Sequence, residues 1–328
     1  MTTASHKKGG PQQRWRGRYA PSPTGRLHAG NARTALLAWL AARSRGSTFV
    51  MRIEDLDGAR VVPGAEATLL DELAWLGLDW DEGPDRGGAC GPYRQSERTA
   101  RYDEAVARLL ATGAAFPCAC SRAEIARAAS APHAEDDEGP RYPGTCLRLS
   151  PGEVAARARV QGRSPAIRFH GRNARITFVD ELHGLLDPFG EAGLDDFVLR
   201  RADGVAAYQL AVVVDDAAMQ IGEVVRGHDL LLSAPRQLAL YAALNLKPPR
   251  FAHVPLLLTV NGDRLAKRTR PTPLGDLRAR GLSPSEIIGR LASSAGLPTA
   301  PTTPQALLNT LPAPLWPHLS PHPQTWPD

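Results

Sequence analysis

The chain has 328 residues, of which 43% are hydrophobic, 22% charged and 6% aromatic; that length suits about two domains with cores of their own and is too apolar for a chain disordered throughout. No apolar run approaches the ~20 residues of a membrane-spanning helix, and the polar, basic stretch Met1–Gly17 does not resemble a secretory leader, so a cytoplasmic protein is expected. The net charge is +5, yet residues 1–17 supply +4 of it through Lys7, Lys8, Arg14 and Arg16, which describes a solvated tail and leaves charge alone unable to name a partner.

A short strand is expected over Arg16–Ala20, followed by the turn-rich Pro21-Ser-Pro-Thr-Gly25. From Ala29 to Arg45 the apolar positions recur at three- and four-residue steps, which predicts a helix. Thr48–Ile53 reads as a strand, and helices are expected over Gly64–Leu76, opened by Pro63 and closed by Gly77, and over Thr99–Thr112. This alternation is that of an open α/β sheet. The stretch from Phe116 to about Asp187 breaks it, with an acidic run at 135–138 and an expected hairpin whose arms, Ala166–His170 and Ala174–Val179, flank Gly171-Arg-Asn173. The α/β pattern then resumes. The nearly unbroken apolar run Ala206–Val214 suits a strand covered on both faces, Ile221–Val225 a further strand, and Leu230–Leu244 a helix.

After Phe251–Thr259 the dipeptide Asn261-Gly262 marks a tight turn, and Ser283-Pro-Ser-Glu286 has the capping-box spacing of a helix start. The last 32 residues hold 9 of the 29 prolines and no Lys or Arg, so a loosely ordered tail is expected there. The resulting division is a basic tail (1–15), one α/β domain in two halves (16–115 and 191–250) split by an insertion (116–190), a basic-loop and helical region (251–296) and the proline-rich tail (297–328).

Two places carry chemistry. The first is Arg18-Tyr-Ala-Pro-Ser-Pro-Thr-Gly-Arg-Leu-His28-Ala-Gly30-Asn31, where a strand and a rigid loop deliver a histidine and a glycine to the mouth of a helix. Unpaired N–H groups and a partial positive charge suit that mouth to a phosphate. Gly30 allows close approach of a ligand, and His28 can donate to a phosphoryl oxygen. The second is a cysteine cluster. Cys118, Cys120 and Cys146 fall within 29 residues while Cys90 stands apart; with one residue between Cys118 and Cys120 a mutual disulfide is strained, and a metal site is the better reading.

The first segment closely resembles the opening signature of class I aminoacyl-tRNA synthetases, in particular the glutamyl branch. Further blocks resemble that branch in the same order: Arg52-Ile-Glu54-Asp-Leu-Asp57, Tyr208-Gln-Leu-Ala-Val-Val-Val-Asp-Asp216, Val225-Arg226-Gly-His-Asp229 and the basic loop Arg264-Leu-Ala-Lys267-Arg268. The resemblance implies a Rossmann-like catalytic domain with a zinc-bearing insertion and a short helical C-terminal region. It implies glutamate binding by Arg18, Tyr19, Ala20, Pro21, Ser22, Glu54, Tyr208 and Arg226: guanidiniums for the carboxylates, Glu54 for the ammonium group, hydroxyls for the remaining polar groups. His28, Gly30, Asn31 and Lys267 are implied to bind ATP, with Mg²⁺, and His28 and Lys267 to act in catalysis. Arg264 and Ala266 depart from the usual lysine and serine of that loop, which bears on rate more than on reaction type. A structural Zn²⁺ is implied at Cys118, Cys120, Tyr142 and Cys146, with His133 the rival fourth ligand.

About 60 residues follow Arg268, too few for the helical anticodon-binding region of a glutamyl-tRNA synthetase. The truncated relatives are the glutamyl-Q tRNA(Asp) synthetases. The resemblance therefore implies a monomeric ligase that activates L-glutamate with ATP and transfers it to queuosine in the anticodon of tRNA(Asp). An enzyme charging the tRNA 3′ end, a silent tRNA-binding paralogue and a glutaminyl enzyme are the alternatives.

Overall fold

The computed structural model describes residues 15–128, 141–258, 272–297, 300, 302–311, 314–322 and 324–326. It opens with β1 (Arg16–Tyr19), α1 (Ala29–Arg43) and β2 (Thr48–Met51), a right-twisted parallel pair joined by a helix, with Arg18 opposite Val50. Helix α1 is apolar on nearly every face and is buried along most of its length. Gly17 lets it seat closely, since a Cβ there would come within 2.9 Å of the Ala42 Cβ. Helices α2 (Ala65–Trp75) and α3 (Thr99–Ala111) follow.

The chain then builds β3 (Ala115–Cys118), α4 (Arg122–Ala128), α5 (Pro151–Val160), β4 (Ala166–Phe169), β5 (Phe178–Asp180), β6 (Gly184–Leu186) and β7 (Val198–Arg200). It returns through α6 (Tyr208–Ala218), β8 (Glu223–Gly227), α7 (Ser233–Ala243), β9 (Arg250–Val254) and β10 (Leu257–Leu258), and closes with α8 (Leu274–Ala279), α9 (Pro284–Ser293), α10 (Pro304–Thr310) and β11 (Gln324–Thr325). The main sheet has the order β2-β1-β8-β9-β5-β6 and is parallel apart from β6. Strand order reverses at β1, which lies between β2 and β8, so the crevice at the carboxyl ends of β1 and β8 is where such a sheet takes a ligand. A second, antiparallel sheet has the order β3-β4-β7.

Three expectations change. The run 206–214 is not a strand: Tyr208–Ala218 is a helix, buried on the faces carrying Leu210, Ala211, Val212, Val213, Asp215 and Asp216. A helix enclosed by α3, α7 and β7 shows the same unbroken apolar run as an enclosed strand, so periodicity could not separate them.

The expected hairpin at 166–179 does not form either. Strand β4 pairs with β3 and β7, while β5 joins the main sheet beside β9, so the 116–190 stretch feeds both sheets. At the turn between β4 and β5 the Asp196 carboxylate accepts from the Gly171 and Arg172 N–H groups, each at 3.0 Å.

The proline-rich end is ordered over most of its described residues. Thr303 caps α10 with Pro304 in its first turn. Leu307, Leu315, Trp316, Leu319 and Trp326 are buried with α1 and α9 in one core, and β11 pairs with β10. Trp316 also donates its indole N–H to Glu223 on β8 at 3.1 Å. Trp316→Ala is therefore expected to cost about 3–5 kcal/mol in chemical denaturation; a loss below about 1 kcal/mol would show that this segment does not support the core.

Candidate active site

The sequence turns sharply after β1, and backbone bonds fix the turn to the end of β2. The Arg52 N–H donates to the Tyr19 carbonyl at 3.0 Å and the Glu54 N–H to the Pro21 carbonyl at 2.9 Å. The loop then delivers His28 to the start of α1, where its carbonyl accepts from Ala32 at 2.9 Å. No acidic residue occupies the first turn of α1, so its positive end faces the cleft unopposed. A cleft opens there, lined by Pro21, Ser22, Gly25, His28 and Asn31 among others. Above Gly30 a Cβ would meet nothing within 4 Å. The exit of the 259–271 segment is held against this mouth: Pro273 bridges to His28, and the Leu274 N–H donates to the Leu27 carbonyl at 2.9 Å. Lys267, Arg264 and Ala266 themselves lie outside the described residues.

Across β1 from β2 lies a cluster of buried charge. Arg18 is 4% exposed; it donates to the Val225 carbonyl at 3.1 Å and stands 3.5 Å from Asp216. Arg52, fully buried, bonds Asp216 at 2.5 Å and Glu54 at 3.0 Å. Asp215 accepts from Arg98 at 2.5 Å and from Gln95 and Tyr102 at 2.8 Å each. Every carboxylate here has a guanidinium partner, as buried charge requires. Burial nevertheless raises Glu54, against the opposing pull of Arg52 and Arg18. Burial also raises the Tyr208 hydroxyl, which sits in the field of Arg226, Glu54 and Arg18.

Arg226, on β8, is held differently. Its Nε donates to His253 Nε2 at 2.9 Å and its Nη1 to the Gln237 side-chain carbonyl at 2.8 Å, while Nη2 is buried with no hydrogen-bond partner. Gln237 in turn donates to Gln209 at 3.0 Å, and Gln209 to Ser233 at 2.9 Å. The structure thus gathers Arg18, Glu54, Tyr208 and Arg226, which the sequence motifs singled out, at the carboxyl ends of β1, β2 and β8. Tyr19, Ala20 and Pro21 continue the chain from β1 into the loop: Pro21 lines the cleft at the mouth of α1, and the Tyr19 hydroxyl donates to the Asn31 carbonyl at 3.2 Å.

The metal candidates also converge. The sulfur atoms of Cys118, Cys120 and Cys146 lie within 4.8 Å of one another, all buried. The Tyr142 hydroxyl donates to Cys118 Sγ at 3.4 Å and accepts the Cys146 N–H at 2.9 Å, and the Ala119 N–H donates to Cys146 Sγ at 3.4 Å. Burial pushes the Cys120 thiol up to about 12. Three buried thiols with an oxygen beside them are a donor set that could hold a divalent metal ion, and it fits tetrahedral coordination. His133 lies outside the described residues.

Residues 15–294 match the family described as class I tRNA synthetases (E and Q), catalytic domain. The chain belongs to this family. Its sheet order, with the site at the carboxyl ends of β1 and β8, is the α/β catalytic fold of these ligases. The Glutamyl-Q tRNA(Asp) synthetase of Symbiobacterium thermophilum is 54% identical over 87% of this chain and 88% of its own length. That of Nitratidesulfovibrio vulgaris is 48% identical, with 93% and 95% covered. Glutamate–tRNA ligase 1 of Halorhodospira halophila is 45% identical over 84% of this chain but 57% of its own. Among solved structures, the glutamate-tRNA synthetase of Elizabethkingia anophelis superposes with a TM-score of 0.81 at 29% identity, covering 96% of this chain and 68% of that one.

The sequence motifs passed over Asp180, Gln237 and His253, and left Arg52, Gln209, Asp215 and Asp216 without roles although the quoted blocks contain them. An acid pair ending the apolar run 210–214 was the available signal for Asp215 and Asp216, because two carboxylates following such a run need buried partners. Nothing local marks His253, whose partners sit 27 and 73 residues away.

Burial lowers His253 from 6.5 to about 4, so the unfolded chain takes up a proton in that window while the folded protein does not, and stability falls as pH drops from about 6.5 toward 4. The His253 share is on the order of 3 kcal/mol. Chemical denaturation across this range should show a shallower pH slope in His253→Gln; an unchanged slope would contradict a neutral buried imidazole.

Proposed function

We propose that this ligase activates L-glutamate with ATP to glutamyl-adenylate and transfers the glutamyl group to the queuosine base in the anticodon of tRNA(Asp). One observation carries the reading: the match to a Glutamyl-Q tRNA(Asp) synthetase runs over 87% of this chain and 88% of the relative, whereas the match to a glutamate–tRNA ligase spans 57% of that protein. The site chemistry supports the first step. Glutamate brings two carboxylates and an ammonium group; Arg18 and Arg226 offer guanidiniums, Glu54 a carboxylate and Tyr208 a hydroxyl, with Ser22 at the rim.

In that step an oxygen of the glutamate α-carboxylate attacks the α-phosphorus of ATP, a mixed anhydride forms and pyrophosphate leaves. His28, the N–H groups at the mouth of α1 beside Gly30 and Asn31, and Lys267 stabilise charge spreading over the phosphates, with Mg²⁺ accompanying ATP. A hydroxyl of the queuosine cyclopentene ring then attacks the activated carbonyl, the ester bond forms and AMP leaves. The nucleophile belongs to the RNA, which accords with the absence of a catalytic serine or cysteine from this set.

Glutamate-dependent ATP–pyrophosphate exchange is expected without tRNA, followed by labelling of queuosine-containing but not queuosine-free tRNA(Asp). Label on the terminal ribose would replace this reading with a charging enzyme, and absence of exchange with any amino acid would replace it with a silent tRNA-binding paralogue.

The cysteine cluster holds, on this reading, one structural Zn²⁺ with Tyr142 as fourth ligand; the ion would tie β3 to the turn at Tyr142–Cys146 and takes no part in the transfer. Metal analysis should give one Zn²⁺ per chain. Cys146→Ser should lose it and lower the melting temperature, and Tyr142→Phe should weaken retention against a chelator. Full retention in Tyr142→Phe would remove Tyr142 from the ligand set.

A further inference from the structure

Arg226 is buried, yet no carboxylate touches it. The atom on its Nε side is His253 Nε2, an acceptor at 2.9 Å. The opposite ring nitrogen, Nδ1, lies 2.7 Å from Asp180 Oδ2. An acceptor role for Nε2 toward an N–H donor requires the ring proton to sit on Nδ1, where it is donated to Asp180. Asp180 is fixed in turn: its carboxylate also accepts from the Leu182 N–H at 3.0 Å, the His183 N–H at 3.1 Å and the His253 N–H at 3.1 Å. His253 and Asp180 are 0% and 1% exposed. The Phe251 ring stacks on His253 at 6.0 Å between centroids and lies 5.0 Å beneath the Arg226 guanidinium.

We infer that His253, oriented by Asp180, is a positioning and specificity residue: it fixes the Arg226 guanidinium through a neutral acceptor, so that the positive charge of Arg226 is left for the side-chain carboxylate of the substrate. This rests on the proposed glutamate reading. The α-carboxylate has to face His28 and the mouth of α1 to attack ATP, which leaves the side-chain carboxylate for the buried arginine on β8. Two of the three guanidinium nitrogens are occupied by neutral acceptors, His253 and Gln237; Nη2 is buried with no hydrogen bond, and the Tyr208 hydroxyl is the other polar neighbour that acts on the guanidinium. A carboxylate at the position of His253 would hold the arginine as firmly but neutralise it, and the pocket would then accept a carboxamide as readily as a carboxylate. With the charge one imidazole away from Asp180, a carboxylate ligand gains an ion pair that a carboxamide cannot make.

The test is steady-state ATP–pyrophosphate exchange on the full-length protein, with glutamate and glutamine, for the wild type, His253→Leu and His253→Gln. Leucine keeps the bulk and removes the acceptor; glutamine restores a carbonyl acceptor near the position of Nε2. His253→Leu should raise KM for glutamate about tenfold or more, as loss of an acceptor on a charged donor implies. KM for ATP should stay within about twofold and the preference for glutamate over glutamine should narrow, and His253→Gln should recover most of both losses. Thermal melts of each variant identify any that fail to fold, in which case His253→Gln alone decides. Equal rises in both KM values, or an unchanged KM for glutamate, would overturn the inference while leaving the functional reading intact. A wild-type protein with no glutamate-dependent exchange would overturn both.

Discussion

The constraint on which the rest of the structure depends is that charge brought to the centre of this sheet must be partnered. Arg18, Arg52 and Arg98 sit at or beyond the carboxyl ends of β1 and β2 with almost no exposure, and Asp215 and Asp216 on α6 are the counter-ions. An unpaired ion there would cost several kcal/mol. The pairs therefore set the rotation of α6 about its axis and its height over the strand ends. Tyr208, at the first turn of the same helix, is carried to the cleft as a consequence. Glu54 is placed by the same network, since Arg52 bridges it to Asp216 through separate nitrogens.

This explains which parts of the fold and site were legible in the sequence. The loop from Arg18 to Asn31 could be read directly because its chemistry is local: strand, rigid turn and helix mouth are consecutive, and each residue type has a backbone reason to be there. Helix α9 was legible for the same reason, its Ser283–Glu286 box being fully formed. Helix α6 was not, because a helix enclosed on all sides loses the polar stripe that would reveal its period. The aspartate pair marks a place where charge interrupts the apolar run, and only the three-dimensional neighbours show what it meets.

The C-terminal segment failed as a sequence reading for a different reason. Proline content argues against regular structure but does not oppose packing. Pro304 occupies a helix start, where its missing N–H costs nothing, and the buried Trp316 and Trp326 supply large apolar surfaces whose sequence spacing follows no period. Through Trp316 on Glu223, and through β11 beside β10, this segment braces the strands whose far ends carry Arg226 and lead into the 259–271 segment.

The charge balance of the cleft bears on why glutamate suits it. Asp215 is satisfied by Arg98, outside the cleft itself. Among the groups that act on one another around Tyr208, the guanidiniums of Arg18, Arg52 and Arg226 face the carboxylates of Asp216 and Glu54, one positive charge in excess. That excess resides on Arg226, which alone of the three has no carboxylate within ion-pair distance and hydrogen-bonds only to the neutral His253 and Gln237. On the proposed reading, glutamate enters with a net charge of about −1 at neutral pH and brings the buried cluster to neutrality. Glutamine, with no net charge, would leave the excess in place at low dielectric. Selectivity for the carboxylate then follows from the partners chosen for one arginine, and does not need a group that repels the carboxamide.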